Sequence, residues 1–357
     1  MSIALSDSLA QDTQSLNLKW GKLAAIQDRV GFAGSFAGVA DGKLMVAGGA
    51  NFPDGRAPWT GGVKAWSDQV FVLDKLDGTW EIAGKLPLKL GYGGSVNWKN
   101  SLIILGGSNE SGHHAKVYQL NYGHGGLLIS NLPDLPHPIA NTTAVLMDDV
   151  IYVIGGLSSP DAKVAADNFW ALDLKAAKRE WKILPAWPGE PRMLSVAGVQ
   201  ANAVFVFSGV ALVDGNRKYL RDAYRYSIKD GWQKIADLPN SVAAAPSPAY
   251  TFGKHQLIVF GGDDGVLAAK ASELKDQHPG FSNQLLSYNM MNNTWTNAGE
   301  ILIHKEADAI ANPNASIWAP VTTTLTVWNG NVILPGGEVR PATRTPNVLM
   351  AVPVNKK

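Results

Sequence analysis

Short apolar runs separated by turn-forming segments recur along the chain, and six of them close on two small residues. They read KLMVAGG (Gly48, Gly49), LIILGG (Gly106, Gly107), IYVIGG (Gly155, Gly156), VFVFSG (Ser208, Gly209), LIVFGG (Gly261, Gly262) and VILPGG (Gly336, Gly337). Each run is too short for a typical helix and is rich in Val, Ile and Leu, as a strand buried on both faces requires. The paired small residues let the backbone turn with φ > 0 at little cost.

Counted from their first small residues, successive runs lie 58, 49, 53, 53 and 75 residues apart. A fixed period near 50 is the mark of a repeat array and suits a kelch-type propeller blade. The long last interval predicts an insertion.

Around each run the pattern supplies further strands, four per blade in a propeller. Blade one takes 31–39, the first run, 67–74 and 79–87; blade two starts at Tyr92 and lacks the Trp that blade one carries at Trp80. Blades three and four begin at 141–147 and 195–200, and blade five near Ala249. Blade six has 321–328, the last run and 346–354, and then the chain stops. Its missing fourth strand is matched by an orphan, LNLKWGKLA (16–24), which has no glycine-closed run before it. The N-terminal strand is therefore expected to complete the C-terminal blade, removing an open edge. Residues 1–16 read as a loose arm, and 17–357 as a single all-β, six-bladed propeller.

Three segments break the repeat, at 51–66, 263–281 and 301–320. The second contains Ala and Leu and stops at Pro279-Gly280, which predicts a short helix. If the three share one face, they wall a pocket at the mouth of the central channel.

Composition narrows the chemistry. Among 357 residues there are 37 Gly and 12 Trp, as turn-rich strands with aromatic packing positions require. Net charge is +1, so no basic field points to nucleic acid or an anionic membrane surface. No stretch approaches the roughly 20 apolar residues that span a bilayer. There is no cysteine, which excludes disulfides, thiolate metal sites and cysteine nucleophiles. The absence also excludes the copper-radical oxidases that share such blades, since these need a cysteine crosslinked to tyrosine. The N-terminal residues lack a basic segment and a sustained apolar core, so the chain as written reads as cytoplasmic; a trimmed mature form would be periplasmic.

The strongest chemical cluster follows the last glycine pair: Glu338, Arg340 and Arg344. A carboxylate beside guanidiniums can act as a base, and an arginine can grip a substrate carboxylate with two parallel hydrogen bonds. The same spacing also suits a solvated salt bridge. Arg192, in EPRMLS, is either a ligand contact or a cation stacked on Trp187, and Asn141 either binds a ligand or closes a turn. The only close histidine pair, His113 and His114, points to opposite strand faces and is ill placed to share a metal.

The glycine-closed strands with downstream Trp and Leu-Pro resemble kelch repeats. More closely, the chain resembles the kelch-type N-acetylneuraminate epimerases, the sialic acid mutarotases, over nearly its whole length but in cyclically permuted order. GFAGSFAGVADGKLMVAGGANF resembles the C-terminal blades of the usual enzyme, and LPHPIANTTAVLMDDVIYVIGG its N-terminal blade. LPGGEVRPATRTPNVL resembles its active-site strand, with the pattern Gly-Glu-x-(Lys/Arg)-Pro-x-x-Arg-Thr. Permutation is physically harmless, because a closed ring can be cut at any loop.

The resemblance implies that Glu338 transfers a proton and that Arg344 holds the substrate or assists the acid, and Arg192 matches a Pro-Arg of the usual order. With Arg340 and Asn141, read from the sequence itself, Arg192 makes up the expected substrate-binding set. It implies a small sugar acid as substrate and no cofactor. Mutarotation also needs a second proton carrier, for which a water or His304 is available. The segment after Gly262 looks shorter than in the usual enzymes and 301–320 looks longer. The competing reading is a non-catalytic kelch module that binds a glycan or protein.

Overall fold

The computed structural model describes residues 16–123 and 125–354. They form six four-stranded antiparallel sheets arranged as the blades of a propeller. The innermost strands are Phe36–Ala40, Gly94–Trp98, Thr143–Met147, Val196–Gln200, Tyr250–Phe252 and Thr326–Trp328. The glycine-closed runs are the second strands in all six blades. The arm expected over 1–16 falls outside the described residues, apart from residue 16.

Blade six closes as the sequence implies. Leu18–Leu23 pairs with Val348–Pro353 in the order outer, third, second, inner, with Trp20 opposite Ala351. Trp20 also fills a place that recurs around the ring. Tryptophans within or immediately before the outer strands of blades one, three, four and five donate their indole N–H to a carbonyl of the preceding blade: Trp80 to Ala24, Trp181 to Pro133, Trp232 to Pro185 and Trp295 to Ala236, all at 2.7–2.9 Å. Trp20 does the same to Glu300 at 3.0 Å. The orphan strand is thus a blade strand by its side-chain contacts as well as by its pairing.

Burial explains the continuous apolar runs. Six large apolar clusters lie between neighbouring blades, each drawing residues from two of them; Ile103 and Leu105 of blade two meet Ile151, Val153 and Trp170 of blade three in one. A second strand has a blade on each side, so its residues are covered on both faces.

The inner strands start later than the apolar pattern suggests, because the residues before them make a different structure. Gly34, Tyr92, Asn141, Leu194, Ala244 and Thr322 each have φ between 50° and 67°. The amide of each donates to the carbonyl of its counterpart in the preceding blade, at 2.6–2.9 Å, and Gly34 donates to Thr322 to close the circle. This six-membered ring of backbone hydrogen bonds encircles the channel. One step outward, the residue after each small pair bridges back to the chain entering the inner strand: Ala50 to Ala33, Ser108 to Gly91, Leu157 to Ala140, Val210 to Met193, Asp263 to Ala243 and Glu338 to Val321. Glu338 is therefore one of six equivalent rim positions.

Four blades carry a short hairpin directly after the small pair, built from Ala50–Asn51 with Ala65–Trp66, Ser108–Asn109 with Gly112–His113, Val210–Val213 with Asn216–Tyr219, and Glu338–Arg340 with Thr343–Arg344. In blade five the expected short helix appears at Ala271–Leu274, flanked by 3-10 turns. The three long segments do meet on one face: Trp59 lies 3.5 Å from the carboxylate of Asp276, and Lys305 donates to Pro279 at 2.6 Å.

Candidate active site

These hairpins surround a funnel above the backbone ring. Its larger chamber has a volume of about 510 Å³ and is lined by Lys64, Trp66, Tyr92, Asn109, His113, Asn141, Glu338 and Arg344, among others. A chamber of about 370 Å³ adjoins it, with Tyr219, Asp263, His278 and Phe281 in its wall; Glu338, Arg217, Leu194 and Thr322 belong to both. Glu338 stands between the two, its side chain 19% exposed against 5% for Arg344.

The geometry around Glu338 follows from local sequence. Gly337 has φ +109°, and a Cβ there would sit 2.7 Å from the carbonyl oxygen of Val321, so only glycine lets the strand leave the rim at this angle. The hairpin then pairs Glu338 with Arg344. The amide of Ala342, in the turn, donates to Glu338 Oε1 at 2.7 Å. Arg344 Nη1 lies 3.1 Å from the same oxygen, although no N–H points squarely at it. Oε2 has no partner among the described residues and is free to meet a ligand.

Arg344 reaches further. Its Nη2 donates to the hydroxyl of Tyr92 at 3.2 Å, and the guanidinium lies over the Phe52 ring at 5.0 Å. Burial disfavours its charge, but Glu338 and Tyr92 more than offset that and its pKa rises. Lys64 sits above the Tyr92 ring, 4.2 Å from its centroid, and 4.7 Å from that of Trp66. Trp66 Nε1 and both ring nitrogens of His113 are buried without a hydrogen-bond partner. Burial also holds the His113 pKa below the usual histidine value.

The structure brings together Glu338, Arg344 and Asn141 and separates the other candidates. Asn141 lines the chamber, and its backbone, with φ of 53°, carries one link of the backbone ring. Arg192 is corrected to a scaffold residue. It is 0% exposed, bonded through Nη2 to Asp222 at 2.7 Å and packed against Trp187 and Tyr224, while its neighbours Met193 and Leu194 face the chamber. Arg340 is likewise a buried tie. It donates to the carbonyls of Asp276 and Ile310, joining the second and third long segments, and lies over Trp318. His304 is exposed, pairs with Glu306 and lines neither chamber. The third long segment supports the wall from behind rather than forming it.

Sequence reasoning missed Tyr92, Lys64, Trp66, His113 and Arg217. Tyr92 was the most accessible of these: aligned on the repeat, it occupies the same ring position as Asn141. The others lie in hairpins of unequal length, where repeat alignment gives no register.

Residues 6–129 and 132–269, well over half of the chain, match the family model for N-acetylneuraminate epimerase. The chain belongs to this family. An N-acetylneuraminate epimerase of Haemophilus influenzae is 31% identical over 234 residues, 60% of this chain and 57% of the relative. One from Yersinia enterocolitica is 36% identical over 132 residues, 32% and 33% of the two chains, and one from Salmonella arizonae 39% over 94 residues, 24% of each. Even the longest of these alignments thus spans little more than half the relative's length. The family match ends at residue 269, before Glu338 and Arg344.

Among the described residues, no group of His, Cys, Asp and Glu is arranged to hold a metal, and no helix is long and apolar enough to cross a membrane.

Proposed function

We propose that the protein is a mutarotase that interconverts the α and β anomers of N-acetylneuraminate in the funnel above the backbone ring. One observation carries the reading. At the junction of the two chambers, Glu338 has one oxygen fixed by Ala342 and Arg344 and the other free. A carboxylate held in this way is oriented for proton transfer without its reactive oxygen being blocked.

Ring opening removes the proton from the anomeric hydroxyl while the ring oxygen gains one. Rotation about the open-chain carbonyl and reclosure then deliver the other anomer. Glu338 Oε2 takes the hydroxyl proton and returns it on closure. Arg344 holds the carboxylate in place and, being largely buried, acts on Glu338 and Tyr92 more than on the ligand. Lys64 and Arg217 are the cations better placed to meet the substrate's own carboxylate, and Asn141 supplies an amide at the chamber floor.

The test is one-dimensional proton NMR of freshly released α-N-acetylneuraminate, with and without catalytic amounts of protein. Faster appearance of the β anomer with the native chain, lost in Glu338→Gln, supports both reaction and residue. An unchanged rate with the native chain overturns the reading in favour of a binding module.

A further inference from the structure

The reaction needs a proton donor to the ring oxygen as well as a base, and two tyrosines face the funnel. Their hydrogen bonds differ in sense. The Tyr219 hydroxyl donates to Asp263 Oδ2 at 2.7 Å, so its proton is engaged. The Tyr92 hydroxyl instead receives an N–H from Arg344. A guanidinium can donate but cannot accept, so the Tyr92 proton has to point elsewhere. It has no protein acceptor among the described residues, and the large chamber lies beside it.

Resting on the mutarotase reading, we infer that Tyr92 is the second proton carrier, the acid that protonates the ring oxygen while Glu338 accepts the anomeric proton. Arg344 spans the two: Nη1 lies against Glu338 and Nη2 against Tyr92, so one planar fork fixes base and acid relative to each other. The step balances. The bond between the anomeric carbon and the ring oxygen breaks, its electron pair passes to the ring oxygen, and that oxygen takes the phenolic proton. The anomeric hydroxyl becomes a carbonyl as its proton moves to Glu338. Closure on the opposite carbonyl face returns each proton to its source.

The surroundings suit a transient phenolate. Arg344 donates to its oxygen, and the Lys64 ammonium lies above the ring. The backbone is shaped for this side chain as well. At Gly34, the ring position preceding Tyr92, a Cβ would come within 2.6 Å of the Tyr92 ring, so a side chain there would displace the phenol.

The test measures anomer interconversion by NMR across pH for the native chain and Tyr92→Phe. The charged and titratable groups sharing the chamber with Tyr92 are Arg344, Lys64, Glu338, Glu110, His113 and Arg217. A pH limb is therefore assigned to Tyr92 only if replacing Tyr92 moves it. Expected is a fall in kcat of roughly 100-fold or more, the usual scale of a lost general acid, with KM little changed and the alkaline limb abolished. Incorporating 3-fluorotyrosine at position 92 alone keeps size and folding nearly unchanged and acidifies the phenol; it should shift the alkaline limb to lower pH. A Tyr92→Phe protein as active as the native chain, or a limb unmoved by the fluorinated residue, overturns the inference. Failure of the native chain itself to accelerate the reaction sinks the mutarotase reading instead, so the two failures are distinguishable.

Discussion

Glu338 and Arg344 face one another across a seven-residue hairpin, their charged groups 3.1 Å apart, and the turn between them donates its own amide to the same carboxylate oxygen. The site's central pair is therefore local in sequence, while its reach is not: Arg344 crosses to Tyr92 of blade two, 252 residues away. A bulge lies between Glu338 and Arg340 and shifts the pairing there, a feature common where a side chain must be re-aimed beside a site.

This arrangement requires a fork, not merely a charge. Arg344→Lys keeps the cation but offers one nitrogen where two are used, so it can hold Glu338 or Tyr92 but not both. The expected outcome is a loss of roughly 100-fold in anomer interconversion by NMR, with the melting temperature altered far less than by Arg344→Ala, which leaves Glu338 without its counter-charge. Near-native turnover in the lysine variant would show that the guanidinium geometry is unimportant.

Acid sensitivity follows from the histidines. Burial is the leading cause holding His113, His114 and His278 below the ordinary histidine value of 6.5. Nearby charges modify this: Asp161 and Glu110 oppose it at the first two, while Asp263, Asp264 and Glu338 oppose it and Arg340 reinforces it at His278. In the unfolded chain these rings bind protons below about pH 6.5, whereas in the folded protein they stay neutral to lower pH. The unfolded state then carries more protons, so stability is full above that value and falls as pH drops below it. The depressed carboxylate of Asp222 acts only at lower pH, below the ordinary aspartate value of 3.8. Melting temperatures measured from pH 7.5 to 5.5 should decline, and His278→Asn should flatten the decline. A melting temperature constant over that range would contradict the prediction.

The repeat made the blades legible because burial between neighbours imposes the same apolar strand and the same small pair each time. The closing strand was legible for a related reason, since Trp20 repeats a tryptophan position that four other blades use. Arg192 and Arg340 misled because an arginine near a channel rim reads the same whether it faces the ligand or stitches the scaffold. The difference lies in Asp222 and in the Asp276 and Ile310 carbonyls, partners distant in sequence. Tyr92 is not legible as a site residue in the sequence, because its role depends on the sense of a single hydrogen bond to blade six.

Closure of the ring offers a direct mechanical test. Leu18–Leu23 covers the otherwise open edge of Val348–Pro353, and Trp20 packs edge-on against Phe260 of blade five while donating to Glu300. Trp20→Phe retains most of the packing and loses the hydrogen bond, a cost of about 1 kcal/mol. Trp20→Ala also loses the ring, and because the side chain is only partly buried the cost should be about 2 kcal/mol, below the range for a fully buried aromatic. A chain starting at residue 25 should be markedly less stable and prone to self-association through the exposed edge. Adding a synthetic peptide of residues 16–24 should restore much of the melting temperature, because the strand is joined to its blade by pairing and not by chain continuity. A truncated chain that melts like the native one, with no response to the peptide, would mean that the ring is held by the other inter-blade clusters and the backbone circle alone.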